Sequence, residues 1–406
     1  MNKPVFLSRP AMVSALGYGV HKHISALLGE ADSYLTRSDF WVNGKSYLFG
    51  SVQTALRPFP AGLNPDFCSR NNQLLWHALL QIEDDIQAAI TEYGTDRVAV
   101  VLGTSTTGSD DNRAAIEYGF TRQDWANSGY NQTLQLMSSP ADFVAEMYQL
   151  RNIRYGISTA CTSGARALIS AARLLRTGMC DAVICGGVDT LSALTINGFH
   201  ALQVLSSGQC QPFTAMRDGI NIGEAAAVFV MTRNPARGLP LLGYGSSSDA
   251  YHMSSPRPDA EGARKVIQQA LHKAQLPASA IGWVNLHGTG TTQNDAMEAL
   301  AIHNELGEEV SCASTKALTG HTLGAAGALE AAFLWTVISR QINPDGKLPP
   351  HRAKTNLDPE LAFIHLTQFQ EAFNADSPRI ALSTSFAFGG NNTALIMGSN
   401  NANPDL

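Results

Sequence analysis

The sequence predicts an α/β fold, and three observations carry that prediction. Short runs rich in β-branched residues alternate with longer runs of helical periodicity. The chain is 406 residues long, more than one simple core fills, so it calls for two or three domains or one large α/β assembly. Its 35 glycines suit many tight turns and close backbone approaches. Alternation of this kind lays helices over the faces of sheets.

Residues 97–103, 181–187 and 226–231 read as buried strands. Helices are predicted over 72–90, 140–150, 161–177, 261–274, 295–306 and 324–338. In the third, Leu168, Ile169, Ala172 and Leu175 share one face, and Arg166, Arg173 and Arg176 lie on the other. The Pro- and Gly-containing link at 233–240 divides the chain into residues 1–233 and 234–400. No short-period repeat argues for a solenoid or propeller. Residues 401–406 read as a frayed tail.

Composition narrows the function classes. Hydrophobic content of 44% with 15% charged residues is that of a soluble globular enzyme. A net charge of -6 speaks against nucleic acid as a partner. Apolar stretches such as 225–231 are strand length, too short for a bilayer span. The N-terminal apolar run breaks too early for a signal peptide. The six cysteines lack C-x-x-C spacing and read as reduced thiols, so a cytoplasmic protein is expected.

Four segments carry chemistry. Cys161 lies in Thr159-Ala160-Cys161-Thr162-Ser163-Gly164, at the predicted first turn of a helix. Unpaired N–H groups and the helix dipole there favour a thiolate, the nucleophilic form. The plain alternative is a cysteine packed as a small apolar residue. His287 ends an apolar strand and opens the turn Gly288-Thr289-Gly290-Thr291. A helix follows, capped by Asn294 or Asp295. Such a histidine faces a cleft, or is satisfied by its own loop. Lys316 and His321 precede a helix built of Gly and Ala. The lysine is either a solvated surface charge or a buried one that needs a carboxylate, for which Glu298 is the candidate. Phe388-Gly389-Gly390 is a plain glycine turn or a source of main-chain N–H groups for an oxyanion. Phosphate-loop, zinc-protease and serine-hydrolase signatures are absent.

In this order and spacing the segments resemble the β-ketoacyl-acyl carrier protein synthases of the I/II type. Arg217-Asp218-Gly219 adds to the likeness, which runs from about Val98 to Met397. The resemblance implies a thiolase-like five-layer αβαβα fold of two similar halves. The first would carry the nucleophilic cysteine, and the second the two histidines and the lysine. It implies a catalytic set of Cys161, His287 and His321, with Lys316 supporting the site through Glu298. The backbone N–H groups of Cys161 and Phe388 would form the oxyanion hole, and Phe388 would gate the acyl pocket. Thr289, Thr291, Ile220, Phe388 and Gly389 would contact substrate. Neither a metal nor a bound cofactor is implied. The substrates would ride on the phosphopantetheine of acyl carrier protein, and the partner would be that carrier together with a second ketosynthase-like subunit, identical or related. The implied reaction is an acyl transfer followed by decarboxylating Claisen condensation with malonyl-carrier protein. It would serve fatty-acid, aryl-polyene or polyketide synthesis. Alternatives are the active subunit of a ketosynthase/chain-length-factor heterodimer, or a non-elongating partner subunit.

Several residues depart from the family pattern. Ile220 stands where Phe is common, and Ala387 and Asn391 replace Gly and Thr. The stretch 104–112 is polar, and Arg70 is the one basic residue of Cys68-Ser69-Arg70-Asn71-Asn72. These departures point away from a housekeeping role and toward a specialised ketosynthase. The absence of any cysteine after Cys312 is at odds with a plain thiolase.

Overall fold

The structure is a computed structural model that describes residues 3–31 and 33–399; the tail read at 401–406 lies outside the described residues. Among the described residues nine strands precede the link: β1 (Phe6–Leu7), β2 (Ala11–Ser14), β3 (Gly17–Tyr18), β4 (Thr36–Val42), β5 (Lys45–Phe49), β6 (Val98–Gly103), β7 (Arg154–Ile157), β8 (Ala182–Asp189) and β9 (Ala225–Thr232). Six follow it: β10 (Leu239–Ser248), β11 (Trp283–Asn285), β12 (Ser311–Ala313), β13 (His365–Leu366), β14 (Ile380–Ala387) and β15 (Asn391–Gly398). The helices of the first part are α1 (Val20–Leu28), α2 (Arg70–Leu79), α3 (Glu83–Tyr93), α4 (Arg113–Arg122), α5 (Ser139–Met147), α6 (Ser163–Arg176) and α7 (Ala193–Ala201). Those of the second are α8 (Glu261–Ala274), α9 (Thr292–Leu306), α10 (Lys316–Thr319) and α11 (Ala326–Ile338).

The sheet runs β13-β12-β11-β14-β15-β10-β1-β9-β8-β6-β7. Its two wings repeat one pattern. β7, β6 and β8 are mutually parallel, and β9 is antiparallel beside them. β12, β11 and β14 are likewise parallel, with β15 antiparallel. β1 joins the wings by pairing β9 on one side and β10 on the other. Helices α2, α3 and α5 cover one outer face, α8 and α9 the other, and α6 and α11 lie between the wings. β6, β8 and β9 are buried along their whole length, as expected of strands covered on both faces.

The predicted helix over 72–90 is two helices. Glu83, Asp84 and Asp85 fill the first turn of α3, and acidic residues stabilise a new N-terminus there. The helix expected from 324 begins at Ala326, after a 3-10 turn over Leu323–Ala325; a Cβ at Gly324 within that turn would sit 2.6 Å from Asp189 Oδ2. Thr291, not Asn294 or Asp295, is the N-cap position of α9. Asp295 instead points out of the first turn and accepts the N–H of Phe213 at 2.7 Å.

The two central helices meet through small residues. A Cβ at Gly164 would lie 2.8 Å from Ala328, and one at Gly327 would lie 2.7 Å from the Ala165 Cβ. Close backbone approach here brings the N-terminal end of α6, with Cys161, against the segment that carries His321. Gly327→Ala should overpack this contact and cost about 1–3 kcal/mol. A thermal midpoint equal to that of the parent would contradict the account.

Candidate active site

Cys161 sits in a turn locked by its neighbours. Thr159 N–H donates to Ser163 Oγ at 2.9 Å, Ser163 Oγ donates to the Ala160 carbonyl at 2.6 Å, and Thr162 Oγ1 donates to the Thr159 carbonyl at 2.7 Å. Ala160 takes φ 51, a left-handed conformation that an alanine adopts only under such constraint. The thiol therefore projects just ahead of α6, whose first residue is Ser163.

The expected thiolate is not the resting form. Burial pushes the Cys161 thiol up to about 12, although Lys316 opposes the shift. Desolvation outweighs the helix end because Cys161 is only 8% exposed. His321 Nε2 lies 2.9 Å from Sγ. Burial, with Lys316 second, holds His321 well below its ordinary range. Burial thus pushes both members of the pair toward their neutral forms.

Backbone contacts fix each histidine. His321 follows Gly320, at φ 68, and its N–H donates to the Asn221 carbonyl at 2.6 Å. Its carbonyl accepts the N–H of Gly223 at 2.9 Å. His287 follows β11, and its N–H and that of Gly288 both donate to the Glu298 carboxylate at 2.7 Å. Thr384 Oγ1 donates to the same carboxylate at 2.6 Å. Burial raises Glu298 to about 7 against these donors.

Glu298 is therefore not the partner of Lys316. The Lys316 ammonium binds the Glu330 carboxylate and donates to the His287 carbonyl, with His287 Nδ1 at 3.4 Å. Glu298 grips the backbone on the other side of His287. The geometry separates two carboxylates that spacing alone does not distinguish. Glu330 is missed in the sequence because helix periodicity assigns it no special place. The signal was a single acid inside the wholly buried α11.

The ring centroids of His287 and His321 are 5.2 Å apart and the planes stand at 85°. One ligating atom each from Cys161, His287 and His321 falls within a 4.8 Å cluster. A thiol and two imidazoles are also donor types that zinc takes. The Lys316 ammonium beside both rings opposes a cation there.

Cys161, His287 and His321 line a cavity of about 400 Å³ with Phe199, Leu202, Ile220, Thr289, Thr291, Phe386 and Phe388 among its walls. The Thr289 and Thr291 hydroxyls are 2.9 Å apart. Phe388 is 37% exposed and meets Phe199 with ring centroids at 5.6 Å. Gly389 contributes its backbone instead of a wall. It takes φ 80, and its N–H donates to the Met253 carbonyl at 2.7 Å.

Two of the departures from the family pattern take a structural form. The polar stretch 104–112 is turned inward at its start, where Thr104, Ser105 and Thr106 wrap the buried Asp189 carboxylate. Gly324 N–H donates to that carboxylate at 2.5 Å, tying this loop to the segment after His321. Arg70 is held by Glu224 at 2.5 Å, so the one arginine of its cluster is already paired. Arg217 is likewise paired with Asp358 at 2.5 Å.

Residues 60–236 match the beta-ketoacyl synthase N-terminal domain, and residues 240–346 match the C-terminal domain of the same synthases. The chain belongs to the β-ketoacyl synthase family. It is 33% identical over 339 residues to a Vibrio harveyi 3-oxoacyl-[acyl-carrier-protein] synthase 2, covering 78% of this chain and 79% of that protein. A Coxiella burnetii synthase of the same name is 31% identical over 80% of this chain and 81% of its own. Among solved structures, a Xenorhabdus doucetiae ketosynthase (ApeO), in complex with its chain length factor (ApeC), superposes with TM-score 0.88 at 40% identity and 98% coverage of both chains. The ishigamide ketosynthase/chain length factor gives TM-score 0.84 at 26% identity, covering 98% of this chain and 99% of its own. The architecture of this β-ketoacyl synthase is thiolase-like, with two similar wings around the α6–α11 layer.

A thiol held up to about 12 should be alkylated by iodoacetamide at a rate that rises about tenfold per pH unit between pH 6 and 9. Lys316→Met removes the neighbouring cation and should slow the reaction further. A rate that levels off below pH 8 would show a depressed thiol instead.

Proposed function

We propose that this β-ketoacyl synthase is an acyltransferase that joins an acyl group to malonyl-acyl carrier protein, releasing carbon dioxide and giving a 3-oxoacyl-carrier protein. One observation carries the reading: Cys161, His287 and His321 converge on one cavity with clustered ligating atoms. A nucleophile alone transfers acyl groups; two N–H donors beside it also hold an enolate.

The Cys161 proton passes to His321 Nε2 as sulfur attacks the thioester carbonyl of the acyl-carrier protein. Backbone N–H groups of Cys161 and Phe388 receive the oxyanion. The phosphopantetheine thiol leaves with that proton, and an acyl-enzyme remains. Malonyl-carrier protein then binds, with Thr289 and Thr291 toward its phosphopantetheine. Its C–C bond to the carboxylate breaks and carbon dioxide departs. The N–H of His287, and that of His321 in its other neutral tautomer with the proton on Nε2, stabilise the enolate oxygen. The carbanion carbon attacks the acyl thioester, and Cys161 leaves as thiolate and takes from water the one proton that the net reaction consumes. Lys316 and Glu298 are positioning residues, since both act through His287. Ile220 and Phe388 shape the acyl end. No step calls for a metal or redox group.

Residues 1-233 supply the nucleophile, and residues 234-400 supply the histidines and Lys316. The partners are acyl carrier protein and a second ketosynthase-like subunit, in the cytoplasm. Ile220, Ala387, Asn391 and the paired Arg70 favour specialised aryl-polyene or polyketide synthesis over housekeeping fatty-acid elongation. Similarity to a ketosynthase solved with its chain length factor favours a second reading, the active half of a heterodimer. A homodimer that is active alone in size-exclusion fractions would remove it.

Cys161→Ala should carry no acyl mass after incubation with acyl-carrier protein. Persistent acylation in the intact mass spectrum would defeat the assignment. His287→Ala should lose about 10²–10³ in carbon dioxide release from malonyl-carrier protein, while Cys161 still acylates. Release at the parent rate would remove His287 from the mechanism.

A further inference from the structure

Among the described residues, β4 and β5 form a two-stranded sheet separate from the main one. The outer face of this hairpin is open, with Phe40 67% exposed. Its inner face is closed. Val42 and Phe49 are buried with Ile196, Ile220 and Ile222, and Trp41, Tyr47 and Phe199 pack on the same cluster. This cluster lies behind the acyl cavity. Phe199 and Leu202 from α7 and its end, together with Ile220, are cavity walls.

Two polar links fasten α7 to the hairpin. Asn197 Nδ2 donates to the Trp41 carbonyl at 3.0 Å. The Tyr47 hydroxyl and His200 Nδ1 lie 3.0 Å apart. Among the described elements, β4 gives α7 its main packing contact. Leu194 is exposed, and so is Leu202 where it lines the cavity.

The hairpin is anchored in turn. It ends at Gly50, whose N–H donates to the Ile222 carbonyl at 2.9 Å and whose carbonyl accepts from Glu224 N–H at 3.0 Å. Ile222 bridges to His321. A Cβ at Gly50 would fall 1.8 Å from the Thr319 carbonyl oxygen, so this strand end cannot shift without moving the segment that bears His321.

We propose that the β4–β5 hairpin is the acyl-selecting brace of this synthase, with Trp41 and Tyr47 as positioning residues that keep α7 and Ile220 from yielding to a longer acyl chain. The inference rests on the condensing function proposed above. An apolar pocket discriminates chain length only as far as its wall stays put. One methylene is worth roughly 10–200-fold when it does.

The test is a competition. The protein, with any subunit that co-purifies, is given equal amounts of hexanoyl- and tetradecanoyl-carrier protein. The acyl groups on Cys161 are read by intact mass spectrometry. Tyr47→Phe and Trp41→Ala should raise the long-to-short ratio about fivefold or more, and Lys45→Ala, at an exposed position of β5, should match the parent. If Trp41→Ala does not fold, Tyr47→Phe decides. A parent that loads both groups, with the ratio unaltered in Tyr47→Phe, overturns the brace alone. A parent that loads neither of these nor an aryl-primed acyl group from its carrier protein on Cys161 overturns the condensing reading, and the brace with it.

Discussion

Taking an ammonium and a carboxylate out of water costs roughly several kcal/mol per ion. Lys316 and Glu330 bear that cost, with side chains 2% and 4% exposed. Their attraction in a dry interior offsets it, and the His287 carbonyl takes another of the ammonium's donors. What the pair gives in return is a fixed field. Lys316 works against protonation of both imidazoles and draws the Cys161 thiol down. Remove the lysine and Glu330 is left buried and alone, the costly half of a broken pair. The other site interactions build on this pair, because after burial it is the next influence on both imidazoles and it holds the His287 carbonyl.

The fold exists to bring that pair and the nucleophile together. Cys161 belongs to the first wing, and His287, Lys316 and Glu330 to the second. They meet only because α6 and α11 pack through Gly164, Ala165, Gly327 and Ala328. The buried Asp189 makes a second tie, with donors from the 104–106 loop and from Gly324. Neither tie touches the cavity. Each fixes the spacing between a thiol from one wing and an imidazole from the other.

Local pattern reveals the ends of elements and the chemistry-bearing turns. The strands at 97–103, 181–187 and 226–231 are found within two residues of their predicted bounds. The helix at 261–274 matches its bounds. Cys161, His287 and His321 all reach the cavity, as their turns suggest. Pairing is another matter. Glu298 and Glu330 both sit in helices near the site, and only three-dimensional geometry gives one to Lys316 and the other to the His287 and Gly288 backbone. The thiolate expectation failed for a related reason. A helix end is visible in the sequence, but the desolvation that outweighs it depends on burial by distant segments. Asp189 lies just past the strand predicted at 181–187, and nothing local marks it as the hub for residues more than eighty positions away.

The neutral state of the two imidazoles is itself what a carbanion requires. A protonated imidazole beside the enolate would be an acid within reach of the carbon that must attack. It would trade bond formation for a proton. A neutral N–H stabilises the enolate oxygen without that hazard. Burial alone would keep the rings neutral, but it would also leave them without orientation. Lys316 supplies both, since it repels a second positive charge and donates to the His287 carbonyl. The same desolvation that raises the Cys161 thiol makes its thiolate a strong nucleophile once the proton has moved to His321. The resting enzyme is therefore held on the protonated side of its own chemistry, and reaction begins only when an acyl thioester at Sγ draws the proton across.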